Sequence, residues 1–596
     1  MLRLALSALV YSVCTIAGST SVLPGQALKS YINPVIPGFS PDPSCTRVNG
    51  TFYCVNSSFN AFPGNPLYVS RDLQHFKQIG NVISRPEQLP GLANTNGSTS
   101  GVWAASIREH GGMFYVTTTL VYDNMPQQNL SRWDNILFTN PDPIGNPNGW
   151  SDPIHFYFPG YDTSLFWDDD GKVWVQGSHA WQIYPQIQQY QIDLSNGQSL
   201  TGDPIMMWNG TGGLAPEGPH VYKKEGWYYL LIAEGGTGLN HMGTMARAQN
   251  ITGPWESYEH NPVLTNANTS LYLQTVGHTD IFNDTAGNYW AVALSTRNGT
   301  KNFPMGRETV MVPVDWSGDW PVFNGATPGH AYIQMQGPLP AVESAVEGES
   351  LAYEQSTGHL AGADEWELFA PGSTLPVHYL YLRLPDTSKY AISPEGHPYS
   401  LSLLGSWRNL TGTDGRTGNP TFVGRRQTQV RFESQVDIEF APQLDGEEAG
   451  LTVFLQQAAH FDLGVVSLSA SSASQQGYPP PGNGTDMSRY IRLRTITVNS
   501  THQGTVDPIS TPMILPLNLS TTEPVKLTLR VQAPNESSYL FSWSETSSNA
   551  WNVIGSGDAT QTIVGMFASG NGINSTTPAY FSNFIYSGWR DFPGQP

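Results

Sequence analysis

A turn residue, a glycine and an aromatic-rich strand recur five times in the first half of this chain of 596 residues. The copies read NGTFYCVNSS, GGMFYVTTTL, DGKVWVQGSH, EGWYYLLIAE and AGNYWAVALS, and their second-position glycines are Gly50, Gly112, Gly171, Gly226 and Gly287. Successive glycines are 62, 59, 55 and 61 residues apart. Five similar units of this kind predict a five-bladed β-propeller over residues 28–340, in which each blade is a four-stranded antiparallel sheet.

The second half of the chain has a different pattern. The motif stops near Gly337, and the chain becomes rich in Pro, Gly, Glu and Ala, which indicates a linker over residues 341–375. Beyond it, alternating runs such as VDIEF, YIRLRTITV and VKLTLRVQA are typical of short strands, with no persuasive helix between them. We therefore expect an all-β chain in which residues 376–596 form a C-terminal β-sandwich.

The charge balance limits the possible partners. With 48 acidic and 28 basic residues, the formal net charge is −20, although only 13% of the residues are charged. Nucleic acid and anionic membranes would repel such a chain, so neither is expected as a partner. A neutral ligand fits best.

The N-terminal residues predict export. MLRLALSALVYSVCTIAGSTS has an early Arg3, an apolar run and small polar residues, as in a secretory signal peptide, which we assign to residues 1–27. The run is too short for a membrane span, and no later segment has about 18 uninterrupted apolar residues. Asn-x-Ser/Thr acceptors for glycans agree with a secreted, extracellular protein, although some occur by chance. They include Asn96, Asn129, Asn209, Asn298, Asn409 and Asn574.

Cysteine positions predict one disulfide bond. Cys14 leaves with the signal peptide, so that Cys45 and Cys54 remain. A two-residue turn at Asn49-Gly50 would make them a non-hydrogen-bonded pair of a hairpin, with Cα atoms about 4.5 Å apart. In an exported chain this pairing predicts a cross-strand disulfide, and two free buried thiols are the alternative.

The repeated glycines also locate a candidate site. Nine residues before each of the last four lie Trp103, Asp162, Glu217 and His278, and eight residues before the first lies Asp42. Each would begin the inner strand of its blade, and the inner strands of a propeller surround one central channel. We therefore expect these five side chains to converge on one cavity.

Each of these residues alone has a plainer structural interpretation. Asp42 lies between two prolines, as turn-forming Asp residues do, and Asp162 or Glu217 could be ordinary loop acids. His278 alone would more often be a hydrogen-bonded interior histidine, and Trp103 alone a core residue. Five unrelated turn or core residues have no reason to share one offset, and the shared offset favours a functional site.

Three carboxylates around a cavity for a neutral ligand are typical of glycoside hydrolysis, which needs a general acid and a second carboxylate as base or nucleophile. Asp42, held between prolines beside a rigid hairpin, suits the ionised role. Glu217 suits the acid, because a neighbouring carboxylate such as Asp162 would raise its pKa. Trp103 and Phe59 would offer apolar faces to a sugar ring. Arg307, in MGRETV, could bind sugar hydroxyls or tune an acid, and a surface arginine is the alternative.

At these residues the sequence resembles the family 43 glycoside hydrolases, in particular the two-domain branch of β-xylosidases and α-L-arabinofuranosidases. The resemblance lies in NPVIPGFSPDPS, SSFNAFPGNPLYVSRDL, YDTSLFWDDDGKVW, PEGPHVYKK, VGHTDIF and GRET, which occur in that order between residues 31 and 340. It implies a five-bladed propeller and an inverting exo-glycosidase that acts on xylo-oligosaccharides or arabinoxylan. It also implies a concanavalin-like C-terminal domain, which in relatives can lend a loop to the pocket.

The resemblance also implies a role for each matching position. Asp42 would be the general base that activates water, Glu217 the general acid, and Asp162 the residue that orients the acid and tunes its pKa. The implied sugar-binding positions are Phe59, Trp103, His278 and Arg307. No cofactor is required. Some members hold calcium near the histidine equivalent to His278, but no cluster of oxygen ligands can be read here, so calcium is an optional, non-catalytic expectation.

The sequence departs from the family at two places. Ala104-Ala105 follows Trp103 where members often have Ala-Pro, and Ala61 stands where many have Trp. The loss of a large aromatic residue at position 61 would widen the pocket entrance, which affects the expected substrate more than the chemistry.

Two other functions stay open. A retaining hydrolase of the sucrose or fructan type shows an opening of the Asn-Asp-Pro-Asn kind, which PDPS does not match. A non-catalytic, carbohydrate-binding propeller would need the aromatic side chains but not three carboxylates at one repeat position.

Overall fold

The structure is a computed structural model, and it describes residues 27–97, 99–297, 305–340, 365–412, 419–478, 487–496, 513–517, 523–546, 548, 550–558 and 562–589. The expected signal peptide, except residue 27, lies outside the described residues, as do residues 341–364 of the expected linker and the glycan acceptor Asn298.

The described residues of the N-terminal domain contain 24 strands, most of which form a propeller. In chain order these are β1 (Lys29–Ile32), β2 (Ser44–Val48), β3 (Thr51–Val55), β4 (Ala61–Phe62), β5 (Gly64–Ser70), β6 (Lys77–Ile83), β7 (Gly101–Val102), β8 (Ser106–His110), β9 (Met113–Val121), β10 (Trp133–Asn140), β11 (Ile154–Phe156), β12 (Gly160–Trp167), β13 (Val173–His179), β14 (Ile187–Gln191), β15 (Ile205–Trp208), β16 (Glu217–Lys224), β17 (Trp227–Glu234), β18 (Met242–Ala248), β19 (Glu256–Ser257), β20 (Leu273–Asn283), β21 (Tyr289–Arg297), β22 (Glu308–Asp315), β23 (Val322–Phe323) and β24 (Gln334–Gly337).

Five sheets form the blades, which confirms the five-bladed propeller. Blade 1 is β2-β3-β5-β6, blade 3 is β12 to β15, blade 4 is β16 to β19 and blade 5 is β20 to β23. Blade 2 is β9-β10-β11 with an inner strand that is interrupted, since both β7 and β8 pair with β9. The first strand, β1, pairs with the last, β24, from Lys29 opposite Gly337 to Ile32 opposite Gln334, and so joins the two ends of this domain.

The five repeated motifs are the second strands of the blades, β3, β9, β13, β17 and β21. The last four motif glycines, Gly112, Gly171, Gly226 and Gly287, have φ between 78° and 87°. Glycine enters this left-handed region without steric penalty, so it can end the tight turn that leads from the inner strand to the second strand. The same turn therefore recurs in successive blades.

The first hairpin has the predicted register and the predicted disulfide. Cys45 lies opposite Cys54, and Val48 lies opposite Thr51 beside the Asn49-Gly50 turn. The cysteines are bonded, with an S–S distance of 2.04 Å and a Cα–Cα distance of 4.2 Å. The bond fixes the first residues of the strand that follows Asp42, which confirms the pairing inferred from the sequence.

The C-terminal domain consists of 15 strands and one short helix, α1, among the described residues. They are β25 (Glu365–Glu367), β26 (Tyr379–Leu382), β27 (Tyr390–Ile392), β28 (Leu401–Leu404), β29 (Thr421–Arg426), β30 (Arg431–Phe440), β31 (Glu448–Gln456), β32 (Ala459–Ser469), α1 (Ala470–Gln475), β33 (Met487–Ile496), β34 (Met513–Pro516), β35 (Val525–Asn535), β36 (Ser538–Glu545), β37 (Asn552–Asp558), β38 (Ile563–Ser569) and β39 (Pro578–Trp589).

Two sheets of this domain face each other, as the predicted sandwich requires. One sheet has the order β27-β28-β39-β30-β35-β36-β37, with β25 also paired to β39, and the other has the order β34-β33-β32-β31-β38-β29-β26-β4. Their inward side chains, among them Phe432, Leu463 and Phe581, form one buried core. Because β25 pairs with β39, residues 365–367 belong to the sandwich sheet, although they fall in the segment expected to be a linker. Three residues are too few to show an alternating pattern.

Other described elements are four 3-10 helices, at Pro86–Gln88, Pro90–Asn94, Leu130–Arg132 and Thr387–Lys389. None of the helices in the described part of the chain is long and apolar enough to cross a membrane.

A strand of the propeller extends one sheet of the sandwich. Tyr381 and Leu382 of β26 pair with Phe62 and Ala61 of β4. Next to this junction, the fully buried Arg383 donates through Nε to the Thr95 carbonyl at 2.6 Å and through Nη1 to Gln457 Oε1 at 3.0 Å. The two domains therefore share backbone hydrogen bonds close to Phe59, which lines the central cavity of the propeller.

Candidate active site

The side chains that share one repeat position line one cavity of about 210 Å³. The structure brings together all seven residues expected at the site: Asp42, Phe59, Trp103, Asp162, Glu217, His278 and Arg307. Thr99, Ala104, Asp123 and Thr237 complete the lining. The cavity lies where the inner strands of the five blades begin.

Backbone kinks turn these side chains into the cavity. Asp42, Asp162 and His278 have φ of 53°, 54° and 51°, a left-handed conformation that costs a non-glycine residue about 1–2 kcal/mol. The pairing of β12 shifts register between Tyr161 and Ser164, and that of β20 shifts on both sides of Gly277. Such bulges re-aim a side chain at the inner rim of a sheet. At these three positions the shared sequence offset is therefore a shared local backbone geometry.

A glycine lets the fourth blade approach the fifth. Glu217 begins β16, and the next residue, Gly218, has φ 58° and precedes a register shift that ends at His220. A Cβ atom at position 218 would lie 2.9 Å from Cε1 of the His278 ring. The histidine can pack beside the backbone that carries Glu217 only because residue 218 has no side chain.

The environment of Asp42 favours its ionised form. The side chain is 5% exposed, accepts a hydrogen bond from Arg307 Nη1 at 2.8 Å, and also accepts one from the Ser57 hydroxyl. Burial opposes ionisation, but the charge of Arg307, together with His278 and Ser57, outweighs it and holds the pKa of Asp42 below its ordinary value.

The environment of Glu217 favours its protonated form. Burial and the negative charge of Asp42 raise the pKa of Glu217 to about 7, against the opposing effect of the Tyr161 hydroxyl, which donates to Glu217 Oε2 at 3.1 Å. The pKa of Asp162 is also raised, by burial and by the charges of Glu217 and Asp42. At neutral pH the buried pair of Glu217 and Asp162 therefore holds a proton, whereas Asp42 is ionised.

Two aromatic side chains form apolar walls. Trp103 occupies the gap between β7 and β8, where its Nε1 donates to the Thr99 carbonyl at 2.6 Å. The ring centroids of Trp103 and Tyr161 are 5.3 Å apart in an edge-to-face arrangement. The Phe59 ring lies 5.1 Å from the Arg307 guanidinium carbon. Ring faces of this kind suit the apolar face of a sugar.

Sequence reasoning missed several residues of the site. Tyr161 and Ser57 contact the carboxyl groups directly, while Thr99, Asp123 and Thr237 line the cavity. Tyr161 precedes Asp162 in YDTS, so its place next to a predicted site residue was a usable signal. Thr237 follows two glycines in a loop and is marked by no repeat position.

Below the cavity, the propeller axis holds a buried ion pair. Arg108 contacts both carboxylate oxygens of Asp280 at 2.8 and 2.9 Å, and Tyr222 and Ser44 donate to the same carboxylate. Asp280 therefore offers no free oxygen to a calcium ion near His278. Among the described residues, no group of three or more His, Cys, Asp or Glu side chains is arranged to hold a metal ion.

A second cavity of about 240 Å³ lies between the domains and borders the first. Phe59, Thr99 and Arg307 line both cavities. The sandwich contributes residues 380–382, 454–457 and 562–563, and the propeller contributes Ala61, the position expected to affect the width of the entrance.

Both domains match models of known protein families. Residues 31–321 match the model described as Glycosyl hydrolases family 43. Residues 368–478 match the model described as Beta xylosidase C-terminal Concanavalin A-like domain, as expected for the sandwich.

Similar proteins cover most of the chain. It is 32% identical over 486 residues to a xylosidase/arabinosidase of Butyrivibrio fibrisolvens, an alignment that covers 78% of this chain and 85% of that protein. It is 31% identical over 575 residues to a non-reducing end alpha-L-arabinofuranosidase of Bacteroides ovatus, over 95% of each chain. Among solved structures, a xylan beta-1,4-xylosidase from Bacillus halodurans superposes with a TM-score of 0.77 at 27% identity, over 93% of this chain and 99% of that chain.

Proposed function

The chain belongs to the family 43 glycosyl hydrolases, and we propose that it is an inverting exo-glycosidase on xylan-derived chains, which releases terminal xylose, arabinofuranosyl side chains or both. The similar proteins named as xylosidases and arabinofuranosidases support this substrate class. The catalytic cavity of about 210 Å³ supports exo action, because a cavity of this size suits the end of a chain better than its middle.

One observation carries the proposal. Two carboxyl groups of one pocket have pKa values shifted in opposite directions, below the ordinary value for Asp42 and up to about 7 for Glu217. Groups with opposed shifts are suited to act as base and acid at the same pH. Burial and the charges of Glu217 and Asp42 also raise the pKa of Asp162, so Asp162 and Glu217 do not both ionise beside the ionised Asp42.

The proposed reaction is a single displacement. Asp42 accepts a proton from a water molecule, whose oxygen forms a bond to the anomeric carbon as the glycosidic C–O bond breaks. Glu217 gives its proton to the departing oxygen, so that the leaving chain becomes an alcohol and the new sugar hydroxyl has the opposite configuration. Asp162 positions Glu217 and adjusts its pKa. The pocket binds the sugar through Phe59, Trp103, His278 and Arg307, and the reaction needs no cofactor.

Aryl β-xyloside and aryl α-L-arabinofuranoside assayed side by side test the activity, followed by linear and arabinosylated xylan. We expect Asp42→Asn and Glu217→Gln to lose about 10²–10⁴-fold in kcat on unactivated substrates, as when an acid or base catalyst is removed. Unchanged hydrolysis by either variant would remove that residue from its role. NMR of the first-formed product should show inverted anomeric configuration, and a retained configuration would overturn the single displacement.

Export is part of the same proposal. The N-terminal sequence pattern and the Cys45–Cys54 disulfide support it, since disulfides persist in oxidising compartments. The acceptors Asn129, Asn209 and Asn574 are exposed and could carry glycans. Recovery of the protein from culture medium tests export, and retention in the cells would contradict it. Sequencing the N-terminus of the recovered protein tests removal of the signal peptide, which an intact Met1 would contradict.

A further inference from the structure

The cavity between the domains is placed to hold the part of a substrate that the proposed reaction does not release. It borders the catalytic pocket along Phe59, Thr99 and Arg307 and extends toward the sandwich. A chain whose terminal sugar lies between Asp42 and Glu217 would extend its next units into this space. The inference below therefore rests on the proposed function.

This cavity has an unusual charge for so acidic a protein. The formal net charge of the chain is −20. Among the described residues, no Asp or Glu lines the cavity, whereas two arginines do, Arg307 and Arg426. Arg307 is neutralised by Asp42 at 2.8 Å. No described carboxylate neutralises Arg426 in the same way.

Arg426, the last residue of β29, is buried and has no oppositely charged partner among the described residues; the Tyr68 hydroxyl is the neighbouring group that acts on its charge. It is 8% exposed, its Nε has no hydrogen-bond acceptor, and its guanidinium forms no ion pair in the described part of the chain. Burial lowers the pKa of this guanidinium. The preceding residue shows the usual arrangement, because Arg425 is paired with Glu365. An unpaired buried charge is strongly unfavourable, which points to a partner that the described residues do not supply.

A second buried donor lines the same cavity. Gln457 Oε1 accepts a hydrogen bond from Arg383, but Gln457 Nε2 has no acceptor among the described residues. A cavity with surplus donors is complementary to a carboxylate, which only accepts hydrogen bonds and forms its strongest ones with arginine.

We propose that the cavity between the domains is a subsite for a carboxylate-bearing substituent of the substrate, a hexuronosyl unit on the leaving chain, and that Arg426 determines this specificity. The uncharged remainder of the leaving chain would lie against the apolar side chains of the cavity, which include Tyr381, Leu382 and Phe454.

A xylo-oligosaccharide with one hexuronosyl branch, compared with its carboxyl-reduced hexosyl counterpart, isolates the charge at constant shape. We expect the natural chain to have a kcat/KM about tenfold higher for the acidic substrate, through KM, as for one charge-assisted hydrogen-bonded contact. Arg426→Gln should bring the ratio close to one, and Arg426→Lys should keep part of it. Arg47→Gln, in the inner strand of blade 1 and bonded to Asn283, should leave the ratio unchanged.

A ratio near one in the natural chain, or an equal loss on both substrates in Arg426→Gln, would overturn the proposal. If Arg426→Gln does not fold, inhibition of the natural chain by free hexuronate and by the matching hexose replaces it, and equal inhibition overturns the proposal. Hydrolysis of a simple aryl glycoside distinguishes failure of the carboxylate subsite from failure of the proposed function. Normal hydrolysis with no preference for the acidic substrate rejects only the carboxylate subsite, whereas absent hydrolysis rejects the proposed function itself.

Discussion

Arg307 Nη1 lies 2.8 Å from Asp42 Oδ1, although the two residues are 265 positions apart in the chain. Asp42 precedes the inner strand of blade 1, and Arg307 precedes the third strand of blade 5, β22. The contact therefore crosses the point where the last blade meets the first. A contact between the last blade and the first therefore also favours ionisation of the proposed base.

Replacing Arg307 by Gln should move the acid limb of the pH–activity profile to higher pH. A neighbouring guanidinium lowers a carboxyl pKa by about 1–3 units, so its loss should raise the pKa of Asp42 by a similar amount. Because the base must be ionised, activity would then fall at higher pH than in the natural chain. The pH dependence of kcat/KM measures this shift. Arg307→Lys keeps the charge and should move the limb less, and an acid limb that stays in place in Arg307→Gln would contradict the assignment.

Tyr161→Phe should move the basic limb of the same profile to higher pH. The Tyr161 hydroxyl stabilises ionised Glu217, so its removal should raise the pKa of Glu217 from about 7, by up to about one unit for a hydrogen bond of 0.5–1.5 kcal/mol. The proposed acid must be protonated, and activity would therefore persist to higher pH. A basic limb that moves downward would show that the hydrogen bond does not act on the catalytic acid.

Gly218→Ala should reduce activity by more than its loss of stability can explain. The new Cβ would lie 2.9 Å from the His278 ring, and misplacing a catalytic group by a small distance costs about 10–100-fold in kcat/KM. Gly226→Ala is the matched control, because Gly226 has φ 82° but a Cβ there meets nothing within 4 Å. Both variants should lose about 1–2 kcal/mol of unfolding free energy to backbone strain, and only Gly218→Ala should lose activity. Equal activities in the two variants would contradict the packing argument.

The fold and most of the site could be predicted because the propeller repeats one local geometry. The turn at Gly171 and the kink at Asp162 are nine residues apart, and the same distance separates Gly226 from Glu217. A repeat position thus identifies a spatial position, even when the residue types differ. The disulfide followed from the Asn49-Gly50 turn in the same way, because a tight hairpin fixes its own register.

Other parts of the site depend on contacts between segments that no local pattern relates. Thr237 reaches the pocket from a loop, and Arg426 reaches its cavity only because the sandwich packs against β4. In the sequence, Arg425 and Arg426 are equivalent neighbours. Only the structure shows that Glu365 pairs with the first and that no described residue pairs with the second.

Removing the disulfide should destabilise the propeller without abolishing the chemistry. The bond closes a loop of nine residue steps, and a chain-entropy estimate for such a loop gives about 2–3 kcal/mol. The double variant Cys45→Ser, Cys54→Ser should therefore unfold at lower denaturant concentration, while kcat/KM at 25 °C changes by less than about tenfold, because prolines, Ser57 and Arg307 still hold Asp42. Reduction of the natural chain by dithiothreitol offers a second measurement. A loss of activity equal to that of Asp42→Asn would show that the bond itself positions the base.

Arg383→Met should weaken the junction of the two domains. The substitution keeps much of the buried volume but leaves the Thr95 carbonyl and Gln457 Oε1 without their donors, at about 1–3 kcal/mol for each buried group. Denaturant unfolding should show the loss, and an earlier, separate transition of one domain would locate it at the interface. Arg85→Met is the control, since Asp152, its ion-pair partner, is 88% exposed and such surface pairs contribute about 0–1 kcal/mol. Equal losses in the two variants would mean that burial at this junction adds nothing to the strength of the contact.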